Sequence, residues 1–223
     1  MYKFISFDLW GTLIKHNPEF SQHRNELIKS VFPEIYISDS DIKLVKHLSD
    51  YSNESLGEQL SWKQAILNIL IINRNYKFIP KEQIHIRFNK LEIEQKTLFL
   101  KYHPTIFSEE TLDVLNKLKN INIKMGICSN TSFINGYILH NLLDNLNISK
   151  YFKTFIFSDW VNMSKPNPLI FREVINRSQY KPTQILHVGD NVFADGGSEN
   201  VGIDFIHING NSNKTISEIL KFI

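Results

Sequence analysis

Cysteine is all but missing from the 223 residues: Cys128 stands alone, so no disulfide can form within the chain and its thiol content does not call for an oxidising compartment. Long hydrophobic runs are missing too. The longest, Ala65 to Ile72, is interrupted by Asn68 and is far too short to cross a bilayer. At the start, the apolar run before Asp8 is too brief for an export signal. Neither sign of charge dominates. With 25 Lys and Arg against 23 Asp and Glu, the net charge of +2 gives no reason to expect nucleic acid or a membrane as partner. The eight His show no metal-ligand spacing, and no segment repeats another. These absences lead to the expectation of a cytoplasmic protein.

What is present is ordinary for a globular chain: 42% apolar and 22% charged residues, enough for one full domain and a modest insertion. Lys3 to Phe7 reads as a short buried strand. From about Pro18 to Tyr102 the pattern is helical. Pro18-Glu19 opens a helix running to Phe32, and Ser40-Asp41 precedes the stripe Ile42, Leu44, Val45 and Leu48. Ser61 caps Trp62 to Asn73, and Pro80 opens a helix carrying Ile84, Phe88, Leu91 and Leu98. After Pro104 strands and helices alternate. Helices are expected from Ser108, over Phe133 to Leu146, over Pro168 to Arg177 and over Thr215 to Phe222. Strands are expected over Ile123 to Cys128, Thr154 to Phe157, Ile185 to Val188 and Ile203 to Ile208. That alternation predicts a parallel α/β sheet with right-handed crossovers. Residues 1–15 and 103–223 would form this core, with 16–102 inserted after the first strand as a helical domain.

Parallel sheets bind ligands at the carboxyl ends of their strands. Asp8, Ser129 and Asp190 all fall at such ends. In Phe7-Asp8-Leu9-Trp10-Gly11-Thr12 an acid leaves a strand and a Gly-Thr turn follows, which can aim a carboxylate into a cleft. In Gly126-Ile127-Cys128-Ser129-Asn130 a hydroxyl leaves a buried strand, ready to donate to a phosphoryl oxygen. Lys165, in Ser164-Lys165-Pro166, can neutralise both a carboxylate and a phosphate. Gly189-Asp190 and Asp195 place two acids in one loop, a donor set suited to a hard cation such as magnesium.

In this order and in these strand contexts, the four clusters resemble the motifs of the haloacid dehalogenase-like hydrolases, and the resemblance runs the length of the chain. It implies a Rossmann-like parallel-sheet core with a helical cap of the C1 type. It also implies that Asp8 attacks phosphorus and forms an aspartyl-phosphate on a small phosphorylated substrate. Mg2+ would be held by Asp8, Asp190 and the backbone carbonyl of Trp10, with Asp195 in its outer shell. Thr12, Ser129 and Asn130 would hold the phosphoryl oxygens, and Lys165 would stabilise their charge and orient Asp8. One position departs from the pattern. Phosphatases of this superfamily carry an Asp two residues after the nucleophile as acid and base, and here Trp10 stands there. A substitute donor would come from His16 or from the helical insertion. The departure leaves two other readings, a metal-free dehalogenase-like hydrolase, whose halide leaving group needs no proton, and a non-catalytic protein that keeps the fold.

Overall fold

The computed structural model describes residues 1–73, 77, 79–208 and 216–223. Five strands form one parallel sheet: β1 (Phe4–Phe7), β4 (Lys124–Ser129), β5 (Thr154–Phe157), β6 (Ile185–Gly189) and β7 (Asp204–His207), in the order β5-β4-β1-β6-β7. Every residue of β1 and β6 is buried. That follows from a sheet covered on both faces, whose central strands read as continuous apolar runs rather than alternating ones. Two short strands, β2 (Ile14–Lys15) and β3 (Thr105–Ile106), pair antiparallel.

Among the described residues four helices lie between β2 and β3: α1 (Pro18–Val31), α2 (Asp39–Leu56), α3 (Trp62–Ile72) and α4 (Lys81–Lys101). Their starts follow local capping chemistry. Ser38 and Ser61 each close a reciprocal capping box, with Asp41 and Gln64 respectively. Asn17 accepts from the Glu19 N–H and places Pro18 in the first turn of α1. Gly57, at φ +70°, ends α2 in the left-handed conformation. The insertion has its own apolar cluster, in which Phe32, Trp62, Ile69 and Phe88 are joined by Phe133 from the segment after β4. The sheet is covered by two further clusters, one around Phe7, Leu115 and Leu139, the other around Phe4, Ile170 and Phe171.

Four helices cover the sheet: α5 (Glu110–Asn120), α6 (Gly136–Asn145), the single turn α7 (Ser158–Val161) and α8 (Pro168–Ser178). One sequence expectation needs correction. Phe133 and Ile134 do not begin a helix. Asn135 accepts from the Ile138 N–H at 3.0 Å and starts α6 at Gly136, leaving Phe133 to join the insertion's cluster. The expected closing helix is a 3-10 helix over Ile216–Lys221, and Thr215 lies outside the described residues. Among the described residues no helix is long and apolar enough to cross a membrane.

Candidate active site

Asp8 follows β1 directly, and its N–H donates to the Val188 carbonyl of β6 at 2.8 Å, which fixes the backbone as it leaves the sheet. The residue is only 6% exposed. Lys165, on the loop before α8, is buried as well, and its Nζ donates to Asp8 Oδ1 at 2.6 Å and to Asp195 Oδ1 at 2.5 Å. Asn130 clamps that loop. Its Nδ2 donates to the Lys165 carbonyl at 2.9 Å, and its Oδ1 accepts from the Lys165 N–H at 2.7 Å.

The loop after β6 is equally constrained. Asp195 Oδ2 accepts from the Asn191 N–H at 3.0 Å, and Oδ1 meets His187 Nε2 at 3.0 Å as well as Lys165. Asn191 Oδ1 accepts from the Phe193 and Ala194 N–H groups, both at 3.0 Å. Two glycines make room for the acids. A Cβ on Gly189 would stand 2.1 Å from Asp195 Oδ2, and one on Gly11, at φ +70°, 2.2 Å from Asp190 Oδ2. Oxygens of Asp8, Asp190 and Asp195 all lie within 4.8 Å of one another, with Asp190 reaching solvent.

Three carboxylates against one ammonium leave an anionic excess. Burial raises the Asp8 carboxyl to about 7; Lys165 opposes that shift, while Asp195 and Asp190 add to it. Burial would discharge Lys165, but the Asp195 and Asp8 carboxylates outweigh it and hold the ammonium above its ordinary range. Burial would likewise favour protonated Asp195, yet Lys165 and His187 keep it below the usual carboxylate range. Burial also favours neutral His187 despite its bond to Asp195. An oxygen-rich cluster short of positive charge fits a divalent cation that prefers carboxylate and carbonyl ligands.

The cleft at this cluster has a volume of about 200 Å3 and is lined by Asp8, Trp10, Asn130, Lys165, Asp190 and Asp195 among others. Of the residues expected from sequence, Thr12 and Ser129 do not line it. Both are buried; among the described residues Thr12 Oγ1 has no partner, and Ser129 Oγ has only the Asn130 carbonyl at 3.4 Å. The Asn130 amide is committed to the Lys165 backbone, so its main work is to position that lysine. His16 does not reach this cleft. It is exposed, its Nε2 lies 2.8 Å from Ser21 Oγ, and it lines a second, neighbouring cavity.

Sequence reasoning passed over an acid in the cleft. Glu54, on α2, lines the same space as Asp8 and accepts from Asn191 Nδ2 at 3.0 Å. Partial desolvation, then the Asp50 charge, raises its carboxyl above the ordinary value, although solvent still reaches it. A signal was available: the buried stripe of α2 runs Ile42, Val45, Ser49, Asn53 and turns polar towards its end, where the helix meets the core. Trp10 and Glu54 border both the cleft and the second cavity, so the two spaces adjoin.

A family model described as haloacid dehalogenase-like hydrolase matches residues 2–196. A phosphoglycolate phosphatase from Salmonella typhi is 33% identical over 194 residues, spanning 83% of this chain and 73% of that protein. Among solved structures, a HAD phosphatase from Thermococcus onnurineus aligns with a TM-score of 0.70 at 20% identity, covering 99% of this chain and 97% of that one. A 2-haloacid dehalogenase from Pseudomonas syringae pv. Tomato DC3000 reaches the same TM-score of 0.70 at 17% identity, with the same 99% and 97% coverage. At these identities the two structures report a common fold, and that fold is shared by both chemistries.

Proposed function

Because this chain belongs to the haloacid dehalogenase-like hydrolases, we propose that it is a magnesium-dependent phosphatase of a small phosphorylated metabolite, with Asp8 as nucleophile. The observation that carries the reading is the charge arrangement: Lys165 is shared between Asp8 and Asp195, Asp190 stands within 4.8 Å, and a divalent cation would cancel the excess. The 33% identical phosphoglycolate phosphatase supports the choice of a phosphate ester as substrate. Asp8, Asp190 and the Trp10 carbonyl would hold the ion, with Asp195 acting through water. When bound, magnesium would draw charge from the phosphoryl oxygens.

The residues then divide the work. An Asp8 carboxylate oxygen forms a bond to phosphorus as the bond from phosphorus to the leaving oxygen breaks. Lys165 offsets charge on the phosphoryl group. Trp10 cannot protonate a leaving alkoxide, because indole N–H is no acid at neutral pH. Glu54 takes that role: protonated, it gives its proton to the leaving oxygen. As carboxylate it then removes one from the water that attacks phosphorus, which frees phosphate and restores Asp8. The helical insertion thereby acts as a cap that carries the acid to the sheet.

Phosphate release from a panel of phosphomonoesters, with magnesium and with excess chelator, tests the reading. Turnover should require the ion and vanish in Asp8→Asn. Glu54→Gln should lower turnover of alkyl phosphates by about 10²–10⁴-fold, and that of nitrophenyl phosphate far less. Halide release from 2-haloacids, undiminished by chelator, would establish the dehalogenase reading instead.

A further inference from the structure

Beyond Trp10 and Glu54 the cleft opens into a cavity of about 310 Å3, the lower end of the range for small-molecule sites. Its wall is largely apolar, with Phe20, Phe133 and Ile134, but Arg24 of α1 is set into it. The placement is unusual. Arg24 is 5% exposed, its guanidinium carbon lies 4.6 Å from the Phe133 ring centroid and 6.0 Å from that of Phe20, and these faces hold it in place. Its Nη2 donates to Asn25 Oδ1 at 3.0 Å, whereas Nε is buried without an acceptor among the described residues. Among the described residues no ion pair joins Arg24 to a carboxylate, and Asp50, on the same wall, is paired with Lys46. Burial lowers the guanidinium to about 10, with Asp50 opposing the shift, so it stays charged at neutral pH. A second polar atom there, Ser132 Oγ, is also buried without a partner.

A buried cation and a buried donor without partners are both costly, and proteins that keep them generally use them. The planar fork of Arg matches carboxylate or phosphate oxygens. We propose that Arg24 receives a second anionic group of the substrate, so that the substrate is a short-chain phosphomonoester with a carboxylate or a second phosphate at its far end. This rests on the phosphatase reading, which places the transferred phosphoryl group at Asp8 and Lys165. Lys46 on the same wall is paired with Asp50, which leaves Arg24 to supply the positive charge at that end, and the cavity volume restricts the linking skeleton to a few carbons. Trp10, bordering both spaces, forms the wall along which that skeleton lies.

The test compares alkyl phosphates of two to four carbons with ω-carboxyalkyl phosphates and α,ω-bisphosphates of the same lengths. The wild type should favour a doubly anionic series at least tenfold in kcat/KM, chiefly through KM, and the better series identifies the anion. Arg24→Met should bring that ratio close to one, and Arg24→Lys should keep part of it, since an ammonium retains the charge but loses the fork. Calorimetry with magnesium present, using a phosphonocarboxylate and the matching alkyl phosphonate, provides a binding readout free of turnover. The wild type should bind the carboxylated probe at least tenfold more tightly, and Arg24→Met should bind both alike. If the wild type shows no such preference, or Arg24→Met and Arg24→Lys both keep it in full, the assignment is overturned. Should no phosphomonoester be hydrolysed, the phosphatase reading fails while the titration still decides whether Arg24 selects an anion. If Arg24→Met does not fold, Arg24→Lys carries the comparison: a ratio equal to that of the wild type counts against the proposal.

Discussion

Without a cation, the Asp8 carboxyl titrates near 7 because burial opposes its charge more than Lys165 favours it. The sign of the consequence is definite. A carboxyl raised above its unfolded value contributes stability below about pH 4 and loses it as pH rises through about 7. Asp8→Asn cannot titrate, so at pH 8 the metal-free variant should be more stable than the wild type, on the order of a few kcal/mol. Chemical denaturation at pH 5 and pH 8 checks this; a variant less stable at both would show that Asp8 is held by Lys165 without strain. The same shift links magnesium to protons. Below pH 7 the ion must displace one from Asp8, so its affinity should fall up to about tenfold per pH unit. Titrations in buffers of different ionisation enthalpy would count that proton, and affinity independent of pH between 5.5 and 7 would remove Asp8 from the ligand set. Asp8, Lys165, Asp190 and Asp195 were legible in the sequence because each sits at a strand end or in a loop beside Gly or Pro, where backbone geometry leaves few directions. Arg24 and Glu54 were not, because a charged residue on a helix reads as solvated until the face that meets the core is known.

At the level of elements, strand and helix order was legible wherever apolar spacing or a capping residue marked it. The parallel sheet and the four inserted helices follow from such marks, as with Ser61 before α3. Where marks were weak the reading slipped. The apolar pair Phe133-Ile134 looked like a helical start, but its side chains serve the insertion and the cavity wall instead. The strands β2 and β3, two residues each, are too short for any periodicity. Gly57 is the tightest junction between α2 and the loop that carries Lys165. Its carbonyl accepts from the Ser164 N–H at 3.1 Å, and an added Cβ would stand 2.9 Å from both the Asn167 nitrogen and its Cβ. Gly57→Ala therefore meets backbone at a left-handed φ of +70° and should destabilise the protein by about 1–3 kcal/mol. Urea unfolding would register that loss, and an unchanged midpoint would mean that the junction yields freely.

In the whole molecule, the proposed acid and the nucleophile stand on different elements. Asp8 rises from the sheet, and Glu54 descends from the insertion, whose apolar cluster is separate from the two that cover the sheet. Apolar packing of Phe20, Phe99 and Phe133 joins the two, together with a set of polar contacts. Asn53 Nδ2 donates to the Thr131 carbonyl at 2.8 Å while its Oδ1 accepts from the Leu60 N–H at 2.9 Å. Ser164 Oγ donates to Gln59 Oε1 at 2.8 Å, and Gln95 donates to the Phe133 carbonyl. Asn53 adjoins Glu54 in the chain and is 2% exposed, so Asn53→Ala breaks a buried contact between layers without touching Asp8. If Glu54 supplies the proton, loosening its helix should hurt most where the leaving group needs one. Turnover of alkyl phosphates in Asn53→Ala should fall by roughly tenfold more than turnover of nitrophenyl phosphate, whose leaving group departs as an anion. In Glu54→Gln that difference should already be present, and adding Asn53→Ala should not widen it. A general loss of substrate affinity would lower both activities alike and leave their ratio where the wild type has it. An unchanged ratio in Asn53→Ala, beside a collapsed one in Glu54→Gln, would mean that Glu54 acts whether or not this contact holds the insertion in place.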